Sequence, residues 1–293
     1  MVAVTTDTII NGLYTNAVFS QLMRRNFDPL SVWYDLVNHK YEKELKTKGD
    51  RVVIYQAGDI ELKDYVKGQD MVFESPDGNK IEVVLDQQKY YAFQLEDIDV
   101  KQSEVKGLGE MYVKRGQLEN TLAKDSFIST KIWDGIHGDN LLSTSTFTKD
   151  NAYNVLTRLM ARLHWAGAIT ANGKGFDGKN PWIVLDPDLY GVVLEAPQTT
   201  KATTAGDETT RKGTVAQLAG FDIKVSNHSD EKAQTRKIIA GTTEAFAYVD
   251  QISKTQVGRA EKRFATNYSA LYLFGGDVIQ DKALAGMEVT LSA

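Results

Sequence analysis

An α+β fold is predicted by three features of this 293-residue chain. From Asp50 to Asp99 apolar and polar residues alternate: Val52, Ile54 and Leu62 precede the turn signal Ser75-Pro76-Asp77-Gly78-Asn79, and Tyr91, Phe93 and Leu95 follow it. A period of two places one set of side chains on one face of a strand, and Asp-Gly between such runs marks a hairpin. From Asn151 to Ala166, Ala152, Val155, Leu156, Leu159, Met160 and Leu163 fall at i, i+3, i+4, i+7, i+8 and i+11, the spacing of one helical face. Toward the C-terminus the chain returns to short β-type runs, Phe221 to Val225, Lys237 to Ala240, Ser269 to Phe274 and Glu288 to Leu291.

Taken in order, residues 1–49 read as an arm with a short helix around Thr15 to Arg25, a turn at Asp28-Pro29 and an aromatic pair, Trp33 and Tyr34, few of which are expected to pack on a core. The 50–99 hairpin follows. Two strands alone cannot their own apolar face hide from water, so this ribbon is expected to bury it on another surface, and a second copy of the chain is the natural candidate. Ser103 to Ser129 reads as a long helix with Leu108, Met111, Leu118 and Leu122 in one narrow sector. Arg115 interrupts that sector, as a subunit contact or as an arginine reaching out from a core edge. Gly167 is placed to end the 151–166 helix, a core helix of a compact domain. Trp182-Ile183-Val184-Leu185 reads as a buried strand, and Asp186-Pro187 as the cap and first-turn proline of a helix through Leu194. The threonine-rich 197–214 segment lacks periodicity and reads as a long exposed loop. The pattern is that of two intertwined α+β domains.

Composition narrows the function. With 42% hydrophobic and 25% charged residues the chain has the balance of a soluble globular protein. A net charge of −5 argues against coating nucleic acid, which requires a basic face to displace counterions, though not against a wall that faces it. Cysteine is absent, which removes disulfides, thiolate catalysis and cysteine-based zinc sites. No run approaches the roughly 18 apolar residues of a membrane span, and the start, Met1 to Asp7, resembles no secretory leader. The protein is expected to be made and used in the cytoplasm or released by lysis.

Residues that could carry chemistry are sparse. Glu96, Asp97 and Asp99 could act as acid and base or hold a divalent cation, but without a calcium-type loop or a partner histidine they read as surface or interface charges at the hairpin base. His39, His137, His164 and His228 lack the i, i+4 spacing of paired ligands. Gly275-Gly276 and Gly173-Lys174-Gly175 lack the Lys-Ser/Thr of a phosphate loop and read as turns. Ser20, Ser226 and Ser269 lack the Gly-x-Ser-x-Gly elbow. Tyr90, Tyr91 and Phe93 could stack bases, but their alternation favours core or interface packing. No catalytic residue, metal or cofactor is predicted.

Several stretches in shared order resemble the major capsid proteins of tailed bacteriophages with the Hong Kong 97 type fold, podovirus-like coat branch. The hairpin looks like the E-loop of that family, and its return strand, Asp86 to Phe93 leading to Asp97-Ile98-Asp99, resembles that of the branch. The Ser103 helix is similar to the spine helix. Leu218 to Asn227 resembles the Gly-Phe and Ser-Asn segment of the axial domain, Gly258 to Arg263 a basic segment of the peripheral domain, and Tyr272-Leu273-Phe274-Gly275-Gly276 its closing strand.

The resemblance implies an N-terminal arm at 1–49, an extended hairpin at 50–99, a peripheral domain with spine helix at 100–145 and 256–280, and an axial domain at 146–255 and 281–293. It also implies a virion shell assembled in the host cytoplasm from hexamers and pentamers around double-stranded DNA, with a portal, a separate scaffolding protein and a possible decoration protein as partners, and no membrane. Lys63, Tyr65, Lys67, Phe73, Asp77, Arg115, Arg259 and Arg263 are the expected contacts between subunits. Lys63 or Lys67 could in principle serve an isopeptide crosslink of the kind some relatives form. The competing readings are an encapsulin-like nanocompartment shell and a carboxylate-dependent hydrolase using Glu96 and Asp97.

Overall fold

The computed structural model describes residues 9–10, 13–14, 31–42, 51–56, most of 60–78, 79–102, 108–197, 217–227 and 235–291. The helix expected at 15–25, the turn at 28–29, most of the 197–214 loop and the turn residues Pro76 and Asp77 lie outside these residues. The strands are β1 (Ile9–Ile10), β2 (Leu13–Tyr14), β3 (Arg51–Gln56), β4 (Asn79–Val84), β5 (Gln87–Glu96), β6 (Leu141–Phe147), β7 (Trp182–Leu185), β8 (Gln217–Leu218), β9 (Phe221–Val225), β10 (Thr235–Gly241), β11 (Phe246–Arg259), β12 (Ala265–Val278) and β13 (Leu284–Leu291). No described helix is long and apolar enough to cross a membrane.

The continuous apolar run of β7 is buried on both faces, as a strand covered on both sides must be. It sits inside a six-stranded sheet of order β6-β13-β10-β7-β9-β8. β7 and β9 run parallel, with Trp182 opposite Asp222, so the chain between them must cross over, and helix Pro187–Glu195 lies in that crossover. Proline occupies the first turn as expected. Asp186 stands at the cap position but makes no capping bond; its carboxylate faces the buried Arg236 at 3.8 Å, and Arg236 donates to Asp188 at 3.2 Å.

Helix Ala152–Trp165 buries Ala152, Val155, Leu156, Leu159 and Leu163 of the periodic set read from the sequence, and its sixth member, Met160, packs partly buried against the same core. Gly167 ends it with φ +71°, and the Gly167 and Ala168 N–H groups return to the carbonyls of His164 and Leu163, the paired bonds of a Schellman motif.

β11, β12 and β5 form a second, three-stranded antiparallel sheet, on which helix Leu108–Asp134 lies. The expected apolar sector does not describe that helix: Met111 is exposed, and Leu108, Asp125, Ile128 and Ile132 are the buried positions. Its N-terminal half meets aromatic rings instead. A Cβ on Gly116 would lie 2.9 Å from the Tyr91 ring, and Tyr112 packs on Phe93 with ring centroids 5.6 Å apart. Small residues on the helix face make room for large ones on the sheet.

Three expectations are corrected here. The 50–99 segment is two structures: β3 pairs with β4, whereas β5, carrying Tyr91, Phe93 and Leu95, pairs with β12, Leu95 facing Thr266. Alternation shows that a segment is a strand and which residues share a face; it does not name the partner strand. Gly275-Gly276 are not a turn but lie within β12, where a Cβ on Gly275 would sit 1.9 Å from the Val84 carbonyl oxygen. Trp33 is a core residue, 5.8 Å from Trp182 in an edge-to-face pair, and Leu36 and Val37 are buried beside it. The expected divisions at 99/100, 145/146 and 255/256 each fall inside a continuous element: helix Asp97–Gln102, β6 and β11.

Candidate assembly surface

The β3–β4 pair is held at its base and bare beyond it. Val52 and Val83 are buried against Ala247 and Val249 of β11, a small cluster separate from the main core. Between β3 and β4 the described residues turn at Lys67-Gly68, where Gly68 takes φ +90°. The described apolar side chains of this stretch stand in solvent: Leu62 is 99% exposed and Phe73 86%, with Ile60, Tyr65 and Met71 also exposed. Water-exposed apolar residues are ordinary one at a time, but their concentration on one projecting ribbon marks a contact surface. Of the sequence-predicted contact residues, Lys63, Tyr65, Lys67 and Phe73 are exposed on this ribbon, and Asp77 lies outside the described residues.

The other predicted contact residues fall elsewhere. Arg115 is on the long helix and pairs with Glu119 at 2.7 Å, one turn on. Arg259 ends β11, and its guanidinium donates to both carboxylate oxygens of Asp97 of the same chain at 2.6 and 2.7 Å. The Asp97 N–H donates to the Phe264 carbonyl at 2.9 Å, so the β11–β12 tip is tied to the first turn of helix Asp97–Gln102, where a carboxylate is favoured by the helix dipole. The pair is largely exposed and contributes under about 1 kcal/mol. Lys262, Arg263 and Phe264 are exposed at the tip, beside an open recess of about 470 Å³ that Gln94 and Asn267 also line. Because Asp97 is held by Arg259 and Asp99 is buried, the acidic trio does not converge on a common point; no group of three metal-ligating side chains is present among the described residues.

The sequence reading missed the junction that joins the arm to the body. Asp125, fully buried on the long helix, accepts from Ser31 Oγ (3.0 Å), the Val32 N–H (2.8 Å) and the Tyr34 N–H (3.3 Å), holding the 3-10 turn Trp33–Leu36 against that helix. Beside it Lys124 pairs with Asp250, its ammonium 5.9 Å from the ring centroids of both Tyr34 and Tyr272. His39 contacts the Glu42 carboxylate and the Tyr34 carbonyl, each at 2.7 Å. Burial, then the Asp250, Glu42 and Asp35 carboxylates, pushes the Tyr34 hydroxyl up to about 12; burial, then Tyr91, raises Tyr272 to about 12, and burial raises Tyr248 further. A lone aspartate in a helix otherwise read by its apolar residues carries no sequence signal of three remote donors. Gly109 and Gly116, seven apart on one helical face, were a usable sign of close packing.

No protein-family model and no curated protein matches the chain. Solved structures do. A chain of Mycobacterium phage Che8 matches with a TM-score of 0.79 at 23% identity, covering 92% of this chain and 96% of that one. A chain of the capsid structure of the cyanophage P-SCSP1u matches at 0.70 and 12% identity over 94% and 92%, and one from the asymmetric unit of the bacteriophage PhiM1 mature capsid at 0.68 and 12% over 94% and 91%. With a six-stranded and a three-stranded sheet, a long helix laid on the second, a projecting ribbon and a match that runs nearly end to end, the chain has the Hong Kong 97 type capsid fold.

Proposed function

We propose that the chain is a major capsid protein, which assembles with copies of itself into an icosahedral shell around the double-stranded DNA of a tailed phage. The observation that carries this reading is the ribbon between β3 and β4, whose apolar side chains nothing in the described chain covers. Burying one such side chain is worth about 1.5–3 kcal/mol, so the five exposed ones supply on the order of 10 kcal/mol per copy before ordering costs. Repeated around a closed symmetric shell, contacts of that size suffice. Lys63, Tyr65, Lys67 and Phe73 are then contact residues, with Arg263 contributing at the β11–β12 tip.

In this reading hexamers and pentamers build the shell in the host cytoplasm, a portal occupies one vertex, and scaffolding and decoration proteins are separate chains. The likeness of fold across more than nine-tenths of three phage chains supports it. Electron microscopy of the overexpressed, purified chain tests it. Hollow particles of uniform diameter are expected; a chain that stays monomeric at all concentrations, with the ribbon resistant to protease, refutes it.

A further inference from the structure

A cavity of about 180 Å³ lies where the arm, the long helix and the six-stranded sheet meet, apart from the ribbon and the β11–β12 tip. Val184 and Ile239, opposite each other across β7 and β10, line its sheet side, and Lys237, two residues from Ile239, stands on the same face. Trp33 of the arm and Trp133 of the long helix add two indoles. Where β7 and β9 end, the Ser226 N–H donates to the Leu185 carbonyl at 3.0 Å, which brings Ser226 next to Asp186, and both line the cavity. The Ser226 hydroxyl oxygen is buried and has no hydrogen-bond partner among the described residues. Buried hydroxyls are nearly always paired, so an orphan on a cavity wall points to an occupant.

We propose that this cavity is a binding site for a neutral aromatic amide of one ring. An apolar cavity of about 150 Å³ holds benzene, so the volume here suits a six-membered ring with one small substituent. Two indoles and two branched aliphatic side chains favour the ring, and the few polar groups fix the substituent. Ser226 Oγ and the Asp186 carboxylate accept from an N–H. The Lys237 ammonium, 4.6 Å from the Trp133 ring centroid and without a hydrogen-bond or ion-pair partner among the described residues, donates to a carbonyl. A primary amide carries that donor and that acceptor in one planar group. Charge disfavours the alternatives: an anion meets the Asp186 carboxylate, and a cation meets Lys237, with Arg236 standing 3.8 Å from Asp186. Water alone pairs the hydroxyl but gains nothing from the indoles, and a bare hydrocarbon ring leaves Ser226 unpaired.

The site does not depend on the shell reading and is tested on the full-length chain whether or not particles form. Benzamide is titrated and followed by ligand-observed nuclear magnetic resonance, with thermal unfolding as the second readout. A dissociation constant of about 1 mM is expected for so small a ligand, together with a higher unfolding temperature at saturation. Ser226→Ala removes an unpaired hydroxyl, so it is expected to leave the free chain at least as stable while weakening benzamide about three- to tenfold. Thr130→Trp, at an exposed position on the cavity rim, is expected to abolish binding with the circular dichroism spectrum unchanged. Benzoate and protonated benzylamine are expected to bind about tenfold more weakly than benzamide, or worse. Absence of saturable benzamide binding below about 10 mM, binding that survives Thr130→Trp, or benzoate binding as tightly as benzamide overturns the proposal.

Discussion

Replacing Leu62 and Phe73 by serine separates folding from association. Both side chains stand almost wholly in water and touch nothing that the folded chain needs, so the double variant is expected to unfold within about 0.5 kcal/mol of the original. In the proposed shell the same two residues would be buried, each worth about 1.5–3 kcal/mol. Losing about 3–6 kcal/mol per copy, at a factor of ten for every 1.4 kcal/mol, raises the concentration at which particles form by about 10²–10⁴-fold. Sedimentation velocity across a concentration series reads that threshold directly, and thermal unfolding of the dilute protein reads the fold. Particles appearing at the original concentration would refute the argument. So would a fall in unfolding temperature as large as a core mutation gives, because the ribbon would then be part of the monomer's own core.

The remaining predictions concern the body. Gly275→Ala places a methyl group 1.9 Å from the Val84 carbonyl oxygen, backbone against backbone, so it is expected to cost about 3 kcal/mol or more or to displace the ribbon's base, read by denaturant unfolding. Asp125→Ala strands three donors in a buried site and is expected to cost about 3–5 kcal/mol, with protease cleavage appearing first near residues 31–37; Asp125→Asn, which keeps one acceptor oxygen, is expected to cost less. Tyr34 and Tyr272 have folded values near 12, above the usual 10, so their stabilising effect is complete below pH 10 and is lost as pH rises from 10 through 12. Ultraviolet titration is expected to show these tyrosines, and Tyr248, ionising only together with alkaline unfolding.

What could be read from the sequence was whatever is local. Helix Ala152–Trp165 was legible because a compact core selects one face of it, and β7 because four consecutive apolar residues need cover on both sides. Pairing was not legible. Tyr91, Phe93 and Leu95 alternate as hairpin residues do, but they pack under the long helix on a strand whose partner, β12, lies about 180 residues away. The long helix misled for a related reason: its N-terminal half meets the sheet through Gly109, Tyr112 and Gly116 against aromatic rings, and Asp125 is among its buried positions, features that a search for Leu and Met does not find. Of the expected contacts, Lys63, Tyr65, Lys67 and Phe73 are exposed on the ribbon, whereas Arg259 pairs with Asp97 of its own chain, a pairing that only the fold could reveal.

The same two features that defeated pairing explain how a sticky ribbon coexists with a well-folded body. β12 lies between β5 and β11 in its sheet, and it is also the strand whose Gly275 lets Val84 of the ribbon's base come within van der Waals contact. The ribbon is thus joined to the body through backbone proximity and a small apolar cluster, Val52, Val83, Ala247 and Val249 with Tyr41, Ile54, Leu85 and Ile279 packed against them, rather than by sharing the main core. A base of that size fixes where the ribbon starts but leaves the exposed Leu62 and Phe73 beyond it without support from their own chain. Stability and association therefore depend on different residues, and substitutions on the distal ribbon can weaken the second without touching the first.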